Sequence, residues 1–262
     1  MYVASSSVVS PVSKSYIDIR SSMVVIVRLF NTSAVAHVGK SHGFVLDGVQ
    51  LGTGCGVIVK SNNTTITNVH SVSNKFTKAG GTNRTAVVTT SGKVANFELS
   101  NSFFNTGAST YLKGVFANDE AVTNALFKNN FFTHEGTDNS SLSDCIAMYN
   151  SAGVIEFIGN TFEWVTDDWC IMLGSTGCAA DVINVIDNNF IGKTVDGTEL
   201  YTCGIMLRCA PAGSKVNVIH NYFGTLSGTI ISGTGCSIIG ATGTCDIIIS
   251  LFCFKFSIPF SA

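Results

Sequence analysis

Three aspartates stand beside cysteine-led, strand-like runs: Asp144 in Ser143-Asp144-Cys145-Ile146-Ala147-Met148, and Asp167 with Asp168 in Thr166-Asp167-Asp168-Trp169-Cys170-Ile171. Carboxylates brought together supply an acid and a base, one giving a proton while the other takes one. Glu163, Arg208, Trp164, Trp169, Tyr149 and Tyr201 fall near the same segments. Charged groups of this kind also occur as solvated turn residues, and the aromatics serve equally as sugar platforms, core or subunit-interface residues. The nine cysteines match no paired zinc spacing, and the five histidines show no ligand spacing, so no metal centre is read from either.

The elements that must position these residues repeat. A strand-like run followed by Asn, any residue and Phe occurs six times, with anchors at Asn74, Asn101, Asn129, Asn160, Asn188 and Asn221. The anchors are 27, 28, 31, 28 and 33 residues apart, a near-constant period of the kind that marks a solenoid. Before each anchor lies an alternating run such as Val154-Ile155-Glu156-Phe157-Ile158 or Val216-Asn217-Val218-Ile219. A second strand, often opened by Cys or Gly, recurs between anchors, as in Cys145-Ile146-Ala147-Met148 and Cys203-Gly204-Ile205-Met206-Leu207. Propeller blades need longer repeats, and the β-branched, Gly- and Asn-punctuated composition opposes helical repeats.

The expected fold is all-β, a single-stranded right-handed parallel β-helix of about seven to nine coils. Residues 1–40 are expected to form an N-terminal cap or lead-in strands, 41–246 the β-helix, and 247–262 an apolar cap or interface strand. Stacked coils put equivalent residues into files. The six anchor asparagines should form one structural ladder, with the Phe two positions later turned inward onto its counterparts. Cys55, Cys145, Cys170 and Cys203 should form an interior file of small apolar side chains. Cys178, Cys209, Cys236 and Cys245 fall in expected turns and are the better disulfide candidates.

Composition excludes several roles. Only 12% of residues are charged and the formal net charge is -2, so the basic footprint of nucleic-acid binding is missing. The two most apolar stretches, 23–30 and 247–260, are broken by Arg28 and by Lys255 with Pro259, so neither reads as a membrane span. Residues 1–12 lack the features of a signal peptide. Export therefore uses another route, or the gene boundary is incomplete, or the protein is carried on a virion.

The repeat resembles the parallel β-helix repeats of the pectin-lyase-like superfamily over roughly residues 40–245. That superfamily includes polysaccharide lyases, polygalacturonases, phage tailspikes and surface adhesins. The segment at Asp144 is similar to the polygalacturonase segment Asp-Asp-Cys-Ile-Ala-Ile with one Asp replaced, and Asp167-Asp168 supplies the pair with an extra Trp before the Cys. The Gly-His-Gly and Arg-Ile-Lys segments of those enzymes are not found. The resemblance implies a polysaccharide partner and an extracellular or virion-surface location, with a homotrimer if the chain is a spike. It implies Asp144, Asp167 and Asp168 as catalytic acids if the chain is an enzyme. If it is a lyase, Ca²⁺ would be held by Asp167, Asp168 and Glu163, with Arg208 or Lys193 as base. Glu98 and Glu156 are expected to face outward as part of a sugar-binding wall. Two functions stay open: a tailspike- or adhesin-like wall that binds polysaccharide, and a polysaccharide lyase or glycoside hydrolase.

Overall fold

The structure is a computed structural model that describes residues 15–19, 25–27, 34–38, 44–48, 50–51, 57–59, 62–71, 85–90, 92–105, 112–117, 122–133, 144–163, 169–191, 194–195, 198–199, 203–209, 214–224, 231–234, 236–239 and 243–245. Among them no helix occurs, and almost every strand pairs in parallel with the equivalent strand of the next repeat. The chain is a solenoid-like stack of three parallel sheets. Leu112–Ala117, Val122–Lys128 and Phe131–Thr133 lie in turn on the first, second and third sheet, and Ile146–Met148, Ser151–Ile158 and Thr161–Glu163 repeat that order one layer on. The strand Trp169–Ile186 runs from the first sheet into the second and joins them into one 17-stranded whole among the described residues, beside the 8-stranded third sheet. Thr194–Val195 and Thr198–Glu199 form the antiparallel exception. The strands Ser15–Ile19, Val25–Val27 and Ala34–Val38 belong to the same first and second sheets. The expected C-terminal element at 247–262 lies outside the described residues.

Strand alternation explains the core. In Val122–Lys128 the side chains of Val122, Ala125 and Phe127 are buried, while those between and after them face out or sit at the surface. Registration of one layer on the next turns such positions into files. Val57, Val88, Val115, Ile146, Ile171 and Ile205 stand in register along the first sheet, all buried. On the third sheet Phe104, Phe132, Phe162, Phe190 and Phe223 are stacked with ring centroids 5.2, 5.3, 5.0 and 4.9 Å apart. That spacing follows from the strand separation and gives each of the three inner rings a partner above and below. Burying one such ring contributes about 2 to 3 kcal/mol.

The asparagines divide into two files rather than one. The buried file is Asn130, Asn160, Asn188 and Asn221, with Ser102 at its start. Each Oδ1 accepts from the backbone N–H of the preceding member, at 3.1 Å from Ser102, 3.0 Å from Asn130, 2.8 Å from Asn160 and 2.9 Å from Asn188. Each Nδ2 donates to a backbone carbonyl, those of Leu99, Phe127, Phe157 and Val185 in turn. The corner between second and third sheets leaves these backbone groups without strand partners, and an amide is the side chain that serves a donor and an acceptor at once.

Asn101 and Asn129 stand one position earlier, exposed, in a file with Gly159, Asp187 and His220. All five have positive φ, between 49° and 65°. Asn101 and Asn129 are therefore corner residues in the left-handed region, which Asn tolerates and Gly enters freely. The expectation of a single ladder fails at these two members because a doubled Phe shifts the inward position by one residue, so that Ser102 with Phe104 and Asn130 with Phe132 are the buried pairs. Asn129-Asn130-Phe131-Phe132 contains two overlapping copies of Asn, any residue, Phe, and the buried one is Asn130 with Phe132. Phe103 and Phe131 accordingly sit half-exposed on the outside of the third sheet. Asn74 lies outside the described residues.

The cysteine file is also shorter than expected. Cys145 and Cys170 are buried and in register with one another, but Cys203 is the partner of Trp169, so Gly204 takes the interior place. Cys55 is outside the described residues. Cys178 and Cys209, two of the disulfide candidates, are register partners on adjacent strands.

The buried amide file makes a sharp forecast. Asn188→Leu should cost about 3 to 5 kcal/mol, because the Asn160 amides and the Phe157 carbonyl lose partners in a dry corner. Asn129→Gly should change stability by less than about 1 kcal/mol. Urea unfolding followed by circular dichroism checks both, and equal losses would show the two files to be misassigned. Thr90 offers the converse case, because its buried Oγ1 has no hydrogen-bond partner. Thr90→Val should leave stability unchanged or raise it by about 1 kcal/mol in the same assay.

Candidate functional site

The outer face of the second sheet carries a shallow groove of about 380 Å³ that runs along the stack, across four successive strands. Its two walls come from two files of residues. The first is a file of corner asparagines, Asn63, Asn96 and Asn124, with φ of 53°, 54° and 57°, closed by Gly153 at 69°. They are linked in series: Asn96 Nδ2 donates to Asn63 Oδ1 at 2.8 Å, and Asn124 Nδ2 donates to Asn96 Oδ1 at 3.1 Å. Asn124 Oδ1 then accepts from the Val154 backbone N–H at 3.0 Å. Gly153 is required at the end of this file, since a Cβ there would run into Asn124 Oδ1 and would need a positive φ besides. Each linking amide has a second N–H that its neighbour does not use, so the corner presents a row of donors at the strand spacing.

The second wall is the outward file two residues on: Thr65, Glu98, Leu126 and Glu156, continued beyond the groove by Asn184 and Asn217. These side chains are half-buried. Their orientations are set by neighbours. Ser100 Oγ donates to Glu98 Oε1 at 2.9 Å, Asn184 Nδ2 donates to Glu156 Oε1 at 3.0 Å, and Asn217 Nδ2 donates to Asn184 Oδ1 at 2.8 Å. Among the described residues no Lys or Arg lines the groove. Lys128, exposed on the next outward file, is outside it. Rigid backbone on both sides and hydrogen-bonded side chains make this a pre-formed surface.

The remaining site residues read from the sequence are distributed differently. Asp144 is buried, 1% exposed, and its Oδ1 accepts from the Trp169 backbone N–H at 3.4 Å. It braces the layer that opens at Trp169 against the one that opens at Cys145. Trp169 itself is half-buried. Tyr149 packs against Ala86 and Ala147 on the first sheet. Glu163 is half-buried at the end of Thr161–Glu163 on the third sheet, in register with Thr133 and Ile191. The backbone of Arg208 pairs with Thr234. Asp167, Asp168, Trp164, Tyr201 and Lys193 lie outside the described residues. Of the Ca²⁺ ligand set that the resemblance implies, Glu163 alone is described, and no group of three His, Cys, Asp or Glu converges among the described residues. No helix among the described residues is long and apolar enough to cross a membrane.

Glu98 and Glu156 stand at outward positions of their strands, in one file. The corner asparagines beside them were missed, although a signal existed. Asn63, Asn96 and Asn124 are 33 and 28 residues apart, the same steps that separate Asn68, Asn101 and Asn129. Matching periods in two asparagine series announce two corners per coil. Comparison with protein-family models, with curated proteins and with solved structures gives no match.

Asp144→Ala should destabilise the fold by about 1 to 3 kcal/mol, since it removes a buried carboxylate that accepts from a partly buried backbone N–H. A thermal or urea unfolding curve reads this out, and an unchanged midpoint would remove the bracing role.

Proposed function

We propose that this chain is a right-handed parallel β-helix of the pectin-lyase-like kind that stands outside a cell or on a virus particle, where it presents a rigid wall to polysaccharide. The observation that carries the reading is the lengthwise groove on the second sheet. A strand spacing of about 4.8 Å is close to the advance of one pyranose along an extended sugar chain. Successive layers therefore meet successive sugars, with Thr65, Glu98, Leu126 and Glu156 in turn at the outward position. The groove offers amide donors on one wall and hydroxyl and carboxylate acceptors on the other, the complement of a chain of hydroxyls. Its side chains are already ordered by bonds to one another, so binding sacrifices little conformational entropy. The low charge of the chain as a whole suits recognition by hydroxyls and amides.

The second reading is a polysaccharide lyase or glycoside hydrolase using Asp144, Asp167 and Asp168. It is supported by the bond from the Trp169 backbone N–H to Asp144, since Trp169 follows Asp167-Asp168 directly in the sequence. The burial of Asp144 speaks for the wall instead, because a catalytic carboxyl must reach its substrate.

Incubation with a panel of acidic, neutral and amino polysaccharides, with and without Ca²⁺, decides between them. Retention of the protein on at least one polysaccharide with no new reducing ends and no unsaturated uronate is the expected result. Cleavage that disappears in Asp168→Asn would establish the enzyme, and failure to bind any member of the panel would end the wall reading. Sedimentation analysis adds the partner state: a stable homotrimer is expected of a spike and a monomer of a single-chain adhesin.

A further inference from the structure

The two carboxylates of the groove are not adjacent. Glu98 and Glu156 occupy one outward file with Leu126 between them, so they are two strand spacings apart along the stack, about 10 Å. Each has one oxygen held by a protein donor, Ser100 Oγ or Asn184 Nδ2, which fixes the carboxylate and leaves its other oxygen for a ligand. Among the described residues no cationic side chain lines the groove beside them. Between them the half-buried Leu126 offers an apolar surface.

Resting on the polysaccharide reading, we infer that the groove selects a β-1,4-linked amino-sugar ribbon, held by protonated amines on every second sugar, and disfavours polyuronates. Three features combine. In a β-1,4-linked chain each sugar is turned over relative to its neighbour, so an amine on one face recurs every second residue. That repeat matches Glu98 and Glu156. The intervening sugar lies over Leu126, where the ring C–H surface meets an apolar side chain in place of a charge. The Asn63, Asn96 and Asn124 amides face the other edge of the chain and donate to its hydroxyls and ring oxygens. A polyuronate would bring carboxylates against two unneutralised carboxylates, a like-charge juxtaposition that works against binding.

The experiment measures affinity by calorimetry for short β-1,4 oligomers of glucosamine, N-acetylglucosamine, glucose and galacturonate, at low ionic strength and a pH at which the amines are protonated. Glucosamine oligomers should bind at least about tenfold more tightly than the N-acetylated and glucose oligomers, with galacturonate weakest, and added salt should narrow the gap. The double variant Glu98→Gln with Glu156→Gln should abolish the preference while its unfolding midpoint stays near that of the parent. A second variant, Glu98→Gln with Leu126→Glu, keeps two carboxylates but moves them to adjacent layers. It should lose most of the gain, and full retention would overturn the spacing argument. Equal or tighter binding of neutral or acidic oligomers would overturn the selectivity and leave the polysaccharide wall standing. If no oligomer or polymer of any charge binds, the wall reading falls and this inference falls with it.

Discussion

Everything in this molecule depends on one constraint: a chain that winds in layers must satisfy its backbone at the corners, where strand pairing stops. Along the flat faces each layer gives its N–H and C=O groups to the layers on either side, and nothing further is needed. At the corner between the second and third sheets that exchange is interrupted in the dry interior. The file Asn130, Asn160, Asn188 and Asn221 supplies the missing acceptors and donors, each amide bridging to the backbone and to the next amide. A polar file of this kind tolerates no gap, since a broken link leaves several buried groups unpaired at once. It also holds the register of the aromatic file, because Phe132, Phe162, Phe190 and Phe223 each follow their asparagine by two residues.

The same geometry generates the surface. Where the corner is wet, asparagine appears again, now in the left-handed conformation and linked edge to edge along the outside. Asn63, Asn96 and Asn124 are first a solution to a backbone turn and only then one wall of a groove. Function of the proposed kind needs no mobile loop or assembled pocket. It follows from repeating a polar corner beside an outward strand position that is free to vary, and Thr65, Glu98, Leu126 and Glu156 show how varied that position is. Neighbouring layers share a scaffold and differ in chemistry, which is how a stacked fold can read a linear polymer.

Much of this was legible in the residues themselves. The period near 28, the alternation inside each run and the scarcity of helix-forming stretches announce parallel layers, and the outward placement of Glu98 and Glu156 follows from alternation alone. The site was harder to read. Attention falls naturally on Asp144, whose neighbours look like a catalytic segment, yet the side chain is buried and bonded to the next layer. A carboxylate beside a cysteine reads identically in sequence whether it faces solvent or braces a corner.

The repeat, and with it the fold class, is written in the residues alone, because a periodic placement of β-branched, aromatic and turn-forming residues has few ways to bury its apolar face. Register, by contrast, is settled by the packing of layer on layer. One residue of slip separates Asn129 from Asn130 and Cys203 from Gly204, and in a stacked strand one residue is the difference between a buried file and an exposed corner. Motif counting cannot resolve that slip where Asn-Asn and Phe-Phe repeat side by side. The pairing of each layer with the next resolves it, since it sets Asn130, Asn160, Asn188 and Asn221 against the backbone groups they bond.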